Sequence, residues 1–252
     1  MPLISTPAIV LSALRYGETS KIVRLATRDH GVQSAIAKGA YRPKSRFGAA
    51  LQVLSGGQAH LLLSERRDLH TLTGFDVATL PLSLTSEVPR YATATALAEV
   101  MLRVAPAEPH PDAYDVLEEA LAVLTDAPTE VLPSLSLKLL WRMVGALGFA
   151  PALDRCARDG RPIEPGDIAF SAPEGGALCR QCARSMETTT LPADALEALS
   201  QLTSREGTLP PLDSRHAAAH RRLLARYIRY HLAEGATLPA LEFWQLRAWD
   251  PA

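Results

Sequence analysis

KIVRLATRDHGVQSAIAKGAYRPKSRFG, residues 21–48, decides how the N-terminal part of this chain is read. It opens with two short stretches, KIVRLATR and GVQSAIAK, in which apolar β-tolerant residues alternate with polar ones. A period of two suits a strand with one buried face. Three similar stretches flank them: PAIVLSAL before, and QAHLLLSE and LHTLTGF after. Gly17, Gly31, Gly39, the Gly56-Gly57 pair and Gly74 punctuate the series, as turns require. Five short strands at this spacing suit a small closed barrel, which removes its own exposed edges. Periodicity alone does not distinguish an oligonucleotide-binding (OB) barrel from an SH3-like one.

The same stretch ends in a basic loop. Lys38, Arg42, Lys44 and Arg46 put four positive charges within nine residues, with no acid among them, and Tyr41 and Phe47 interleave. Phosphates attract such charges and bases can stack on such rings. The plainer reading is a solvated loop tip. The wider balance supports the first reading: residues 1–76 carry ten Lys/Arg against five Asp/Glu, whereas residues 77–150 carry four against nine. A basic segment joined to an acidic one suggests a module for polyanions attached to a different module.

After Pro81 the period changes to a helical one. Tyr91, Ala94, Ala98, Met101 and Ala105 share one face; Val116, Leu117, Ala120, Leu121 and Leu124 share another, with Asp112 as the expected N-cap. Leu135, Leu139, Met143 and Leu147 repeat the pattern. Beyond a Pro/Gly-rich stretch it returns in ADALEALSQL and in SRHAAAHRRLLARYIRYHLAEG, where Leu224, Tyr227, Ile228 and His231 lie together. Trp141 and Tyr227 read as core. His216 and His220 stand four apart, but without the Glu of a metalloprotease helix they read as surface histidines. Arg221, Arg222, Arg226 and Arg229 give that helix a basic side, read as a solvated face that could extend a nucleic-acid track.

All three cysteines lie in CARDGRPIEPGDIAFSAPEGGALCRQC, residues 156–182. Cys179 and Cys182 form a CxxC knuckle. Cys156 opens CxxD, with Asp159 where a fourth cysteine would complete a zinc ribbon. Gly160 and the Gly175-Gly176 pair supply turns around a hairpin-like insert. Three readings stay open: a Cys₃Asp zinc site, a Cys₃ site completed from elsewhere, and a metal-free loop that keeps the ribbon's shape. A carboxylate oxygen is harder than sulfur, which weakens the site for zinc.

Composition limits the rest. Hydrophobic residues make up 47% of the 252, enough for packed cores. No apolar run reaches the roughly 18 residues of a membrane span, and the start lacks the charged and apolar regions of a secretory signal. Clustered cysteines fit a reducing cytoplasm and a metal more than disulfides. Nucleotide-loop and nucleophile-elbow motifs are absent, and no base accompanies the cysteines, which argues against an enzyme such as a zinc-dependent hydrolase.

GETSKIVRLATRDHGVQSAIAKGAYRPKSRFGAALQ closely resembles the first domain of the bacterial RecO family of DNA repair and recombination proteins. GFAPALDRCARDGRPI and FSAPEGGALCRQC resemble that family's zinc-finger segment. The resemblance implies a multidomain α+β chain: an OB-fold domain over 1–80, a helical domain over 81–150 and 186–252, and a zinc-finger-like insert over 151–185. It implies a non-enzymatic recombination mediator of the cytoplasm and nucleoid. Such a protein binds single- and double-stranded DNA, anneals strands, and works with RecR, single-stranded DNA-binding protein (SSB) and RecA. Matched motif by motif, Lys38, Arg42, Lys44, Arg46 and Tyr41 fall in the DNA-contacting loop. Cys156, Cys179 and Cys182 match three positions for structural zinc, and Asp159 departs from the fourth. Two rival readings are an adaptor that binds no DNA and the zinc hydrolase. Salt-dependent DNA binding separates the mediator from both.

Overall fold

The computed structural model describes residues 2–64, 67–104, 108–164, 166, 168–233 and 235–247. Ala105, placed on a helix face from the sequence, lies outside them. The chain divides into two compact units, residues 1–126 and 127–252.

The first unit begins with five strands: β1 (Leu3–Tyr16), β2 (Ser20–Thr27), β3 (Gly31–Ala37), β4 (Gly56–Leu62) and β5 (Leu69–Thr79). They close into a barrel in the order β1-β2-β3-β5-β4. Only the β3–β5 seam is parallel. That strand order is OB-like and resolves the ambiguity that periodicity leaves. Alternation sets the register: β2 buries Val23 and Leu25 among Val10, Ala35, Leu61, Leu72 and Phe75, while Arg24 between them faces outward and is partly exposed.

Three helices follow, α1 (Leu82–Ser86), α2 (Val88–Val104) and α3 (Pro111–Asp126). α2 packs on β1 and β2, and α3 packs on α1 and α2. Arg90 is buried, and its guanidinium donates to the Leu124 carbonyl at 2.5 Å while pairing with Glu87 at 3.1 Å. It thereby satisfies a C-terminal carbonyl of α3 that has no partner within the helix. Asp112 is not the N-cap of α3. The His110 carbonyl already accepts from the Tyr114 N–H, so Asp112 sits within the first turn, where its charge faces the helix dipole.

The second unit starts with α4 (Leu132–Ala146), continues through β6 (Ile168–Ser171), β7 (Gly176–Leu178), α5 (Arg180–Ala183) and β8 (Thr189–Leu191), and ends in α6 (Ala193–Thr203), α7 (Ser214–Leu232) and α8 (Pro239–Leu246). β6 is the centre of a three-stranded sheet, β7-β6-β8. α4 packs against α6 and α7. Trp141 of α4 and Tyr227 of α7 meet edge to face at 5.1 Å and are almost wholly buried, as their core reading requires. The boundary at 126/127 divides the stretch expected to form one helical domain. α1 to α3 group with the barrel, because α2 covers the outer face of its first two strands, and α4 groups with the later helices.

Candidate nucleic-acid interface and metal knuckle

The loop between β3 and β4 is held from inside. Phe47, Leu51 and Leu54 are 1–2% exposed, and Phe47 and Leu51 belong to the barrel core. The reading of Phe47 as a stacking ring is therefore corrected: the barrel needs an apolar plug at this point, and Phe47 supplies it. Successive tight turns run through the loop, with Arg42 N–H donating to Gly39, Ser45 to Arg42, Gly48 to Ser45 and Ala50 to Phe47. Its ends are tied to neighbouring segments, Tyr41 N–H to the Thr19 carbonyl at 2.9 Å and Leu54 N–H to the Val10 carbonyl at 2.7 Å.

With the apolar side chains inward, the cations face out. Lys38, Arg42, Lys44 and Arg46 are all exposed, and so is Tyr41. Lys44 adopts φ 63°, a left-handed backbone uncommon outside glycine. Among the described residues none of the four cations forms an ion pair. Arg28, on the same barrel, is different: it grips Asp115 of α3 with two bonds of 2.8 and 2.9 Å. The sequence reading overlooks Arg15 and Lys21, whose charges lie against Tyr41. The signal available was the GETS turn, which makes residues 15 and 21 partners in a short hairpin.

The second unit brings Cys156, Asp159, Cys179 and Cys182 together, one ligand atom from each lying within 4.8 Å of all the others. Backbone pairing does this. The Ala152 N–H donates to Gly175, the Ala177 N–H to Ala152 and the Ala157 N–H to Ala177, so the first half-knuckle runs beside β7 and reaches the second. Gly176 is required there, since a Cβ would stand 2.2 Å from the Ala152 oxygen. Gly160 turns the chain after the half-knuckle at φ 73°, and its N–H donates to the Cys156 carbonyl.

Asp159 faces the cysteines. One carboxylate oxygen is 3.4 Å from both the Cys179 and Cys182 sulfurs; the other accepts from the Arg161 N–H at 3.1 Å. That N–H, and then the neighbouring thiols, hold the Asp159 carboxyl down at about 2. Burial, then Cys179, Asp159 and Cys156, pushes the Cys182 thiol up to about 12. Burial pushes Cys156 up too, but the N–H groups of Cys179, Asp159 and Arg158 outweigh it, and the net shift is down. Four converging donors, three of them sulfur, fit a thiophilic divalent cation in tetrahedral coordination. The group could hold a metal ion.

The paired histidines of α7 separate. His216 is exposed and bonds to Asp213, the helix N-cap, at 2.8 Å. His220 is buried, which corrects its reading as a surface residue: it shares the inner face with Leu224, Tyr227 and Ile228.

An OB-like barrel with a plugged basic loop, followed by a helical unit carrying a cysteine knuckle, defines a multidomain α+β protein with a candidate polyanion surface and a candidate structural metal site. Residues 1–80 match the family model Recombination protein O N terminal, and residues 86–238 match Recombination protein O C terminal. The chain belongs to the RecO family. It is 34% identical over 250 residues to DNA repair protein RecO of Anaeromyxobacter dehalogenans strain 2CP-C, covering 96% of each chain. It is 32% identical to the protein of that name from Anaeromyxobacter sp. strain K, again with 96% of each covered. No helix among the described residues is long and apolar enough to cross a membrane.

Proposed function

We propose that this protein is a recombination mediator of bacterial DNA repair. It binds single- and double-stranded DNA through the barrel, anneals complementary strands and, with RecR, helps RecA replace SSB on single strands. Its chemistry is non-covalent and belongs to the cytoplasm, at the nucleoid. The observation that carries the reading is the outward display of Lys38, Arg42, Lys44 and Arg46, with no acidic partner among the described residues, on a loop pinned by Phe47 and Leu51. Family membership supports the same role. Annealing needs no reactive group. Neutralising phosphates on two strands lowers their repulsion and raises their local concentration, and phosphate contacts do this for any sequence.

In this reading Cys156, Asp159, Cys179 and Cys182 hold a structural zinc ion that ties the half-knuckle at 156–159 to the end of β7. Arg161, through its backbone N–H, orients the carboxylate.

The decisive test replaces Lys44 and Arg46 together with alanine and titrates DNA over a salt series. Affinity should fall alike for unrelated sequences. The log–log salt slope should become shallower by about 0.7 per lost contact on single strands and about 0.9 on duplex. A folded double variant with unchanged affinity and slope sinks the reading.

A further inference from the structure

The β1–β2 hairpin carries two cations outside the basic loop. Arg15 and Lys21 are register partners near its tip, and Lys21 also pairs with Ala37 of β3, the residue before Lys38. Three strands thus deliver Arg15, Lys21 and Lys38 to one end of the barrel. The Arg15 guanidinium lies 5.5 Å from the centroid of the Tyr41 ring and the Lys21 ammonium 5.1 Å from it. Their hydrogen bonds go to neutral carbonyls: Arg15 to Gly17 and Glu18, both at 3.4 Å, and Lys21 to Leu51 at 3.1 Å. A neutral acceptor orients a cation without cancelling its charge. Among the described residues neither has a carboxylate partner, unlike Arg28 with Asp115.

We infer that Arg15 and Lys21 are a second phosphate-binding pair, and that Tyr41 is the positioning residue that holds both rather than a platform for a base. The inference rests on the barrel being the DNA-binding module. The face of an aromatic ring attracts cations through its quadrupole. Long basic side chains already restrained on a ring lose less freedom when a phosphate arrives. A base stacking on Tyr41 has to compete with those cations for the ring.

The test uses the full chain and a labelled single-stranded oligonucleotide, titrated over a salt series with melting temperatures checked for each variant. Arg15→Gln with Lys21→Gln should flatten the slope by about 1.4, that is about 0.7 for each of two phosphates. Tyr41→Phe, which keeps the ring, should leave affinity and slope as they were. Tyr41→Leu, which keeps bulk but not the quadrupole, should lower both. If Tyr41→Leu loses affinity with its slope intact, the ring stacks on a base and the positioning role is overturned. If Arg15→Gln with Lys21→Gln leaves the slope unchanged while Lys44→Ala with Arg46→Ala flattens it, the second pair does not exist and the DNA reading stands. If neither pair moves the slope, the DNA reading itself fails.

Discussion

The loop at 38–48 and helix α7 present the same raw material in sequence, four cations in a short span, and the fold uses them in opposite ways. On the loop all four face solvent, with no acidic partner among the described residues. On α7, Arg221 is buried, Arg226 pairs with Glu187 at 3.2 Å, Arg229 bonds to Gln245, and Arg222 is exposed. Cation density therefore does not by itself mark a polyanion surface. What matters is whether the scaffold also supplies partners. The loop anchors itself by burying Phe47 and Leu51, which leaves its cations facing out. α7 anchors itself with the face that holds His220, Tyr227 and Ile228, and Arg221 is drawn into the packing.

The sharpest way to break this contrast is to truncate an anchor on each side. Tyr227 touches Trp141, Phe170 and His231 and donates to the Gly175 carbonyl at 3.3 Å. Tyr227→Ala should cost about 3–5 kcal/mol, as for other large buried aromatics, read by urea denaturation. Lys44→Ala with Arg46→Ala should change stability by no more than about 0.5 kcal/mol per site, the usual range for surface positions, while weakening DNA binding. If the loop variant unfolds the protein, or Tyr227→Ala leaves its stability untouched, the contrast is wrong.

Much of this was legible in the sequence. Alternation around Val23 and Leu25 placed the strands, and the CxxC and CxxD half-motifs placed the knuckle, because spacing and turn glycines act locally. The failures share a cause. Phe47 stands among cations in a polar-looking loop, and only the open end of a closed barrel explains why it turns inward. Arg15 and Lys21 stand six residues apart across the GETS turn, outside the run of cations at 38–46, and only the closed barrel brings Tyr41 against them. His220 stands four residues after His216, yet it also stands four and eight residues before Leu224 and Ile228. That apolar period was the better guide to its burial.

The next effect concerns metal. The ribbon hairpin is fastened to α7 by the Tyr227 hydroxyl on Gly175 and by a 2.6 Å bond between the His231 ring and the Ala172 carbonyl. Zinc that binds only the folded knuckle should stabilise it by about 2.7 kcal/mol at 100 times its dissociation constant, without altering the salt slope proposed for the loop. Asp159→Cys should tighten zinc binding and raise the melting temperature further. Protein purified without chelator should contain zinc on elemental analysis. Content near zero, with no change in melting temperature on adding zinc, would falsify the metal role. A zinc-dependent salt slope would instead tie the knuckle to the proposed DNA surface.

The smallest effect comes from His220, and it follows from α7 being anchored by its inner face. Burial first, then the charge of His216, lowers the His220 pKa below its ordinary 6.5, with Asp194 opposing. Its Nδ1 is buried, with no hydrogen-bond partner among the described residues. The folded protein therefore resists protonating this ring more than the unfolded chain does. Above pH 6.5 both states carry it neutral and the stability is complete. As pH falls below that value the unfolded state takes up the proton first, and stability drains until the depressed folded pKa is reached. His70, lowered by burial against the pull of Asp68, contributes to the same window from the barrel. His220→Gln should flatten the stability profile over this window. Denaturation midpoints measured at half-unit steps from pH 5 to 7.5 decide it. A wild-type profile that His220→Gln leaves unchanged means that the ring can reach solvent, and that the inner face of α7 is looser than its packing implies.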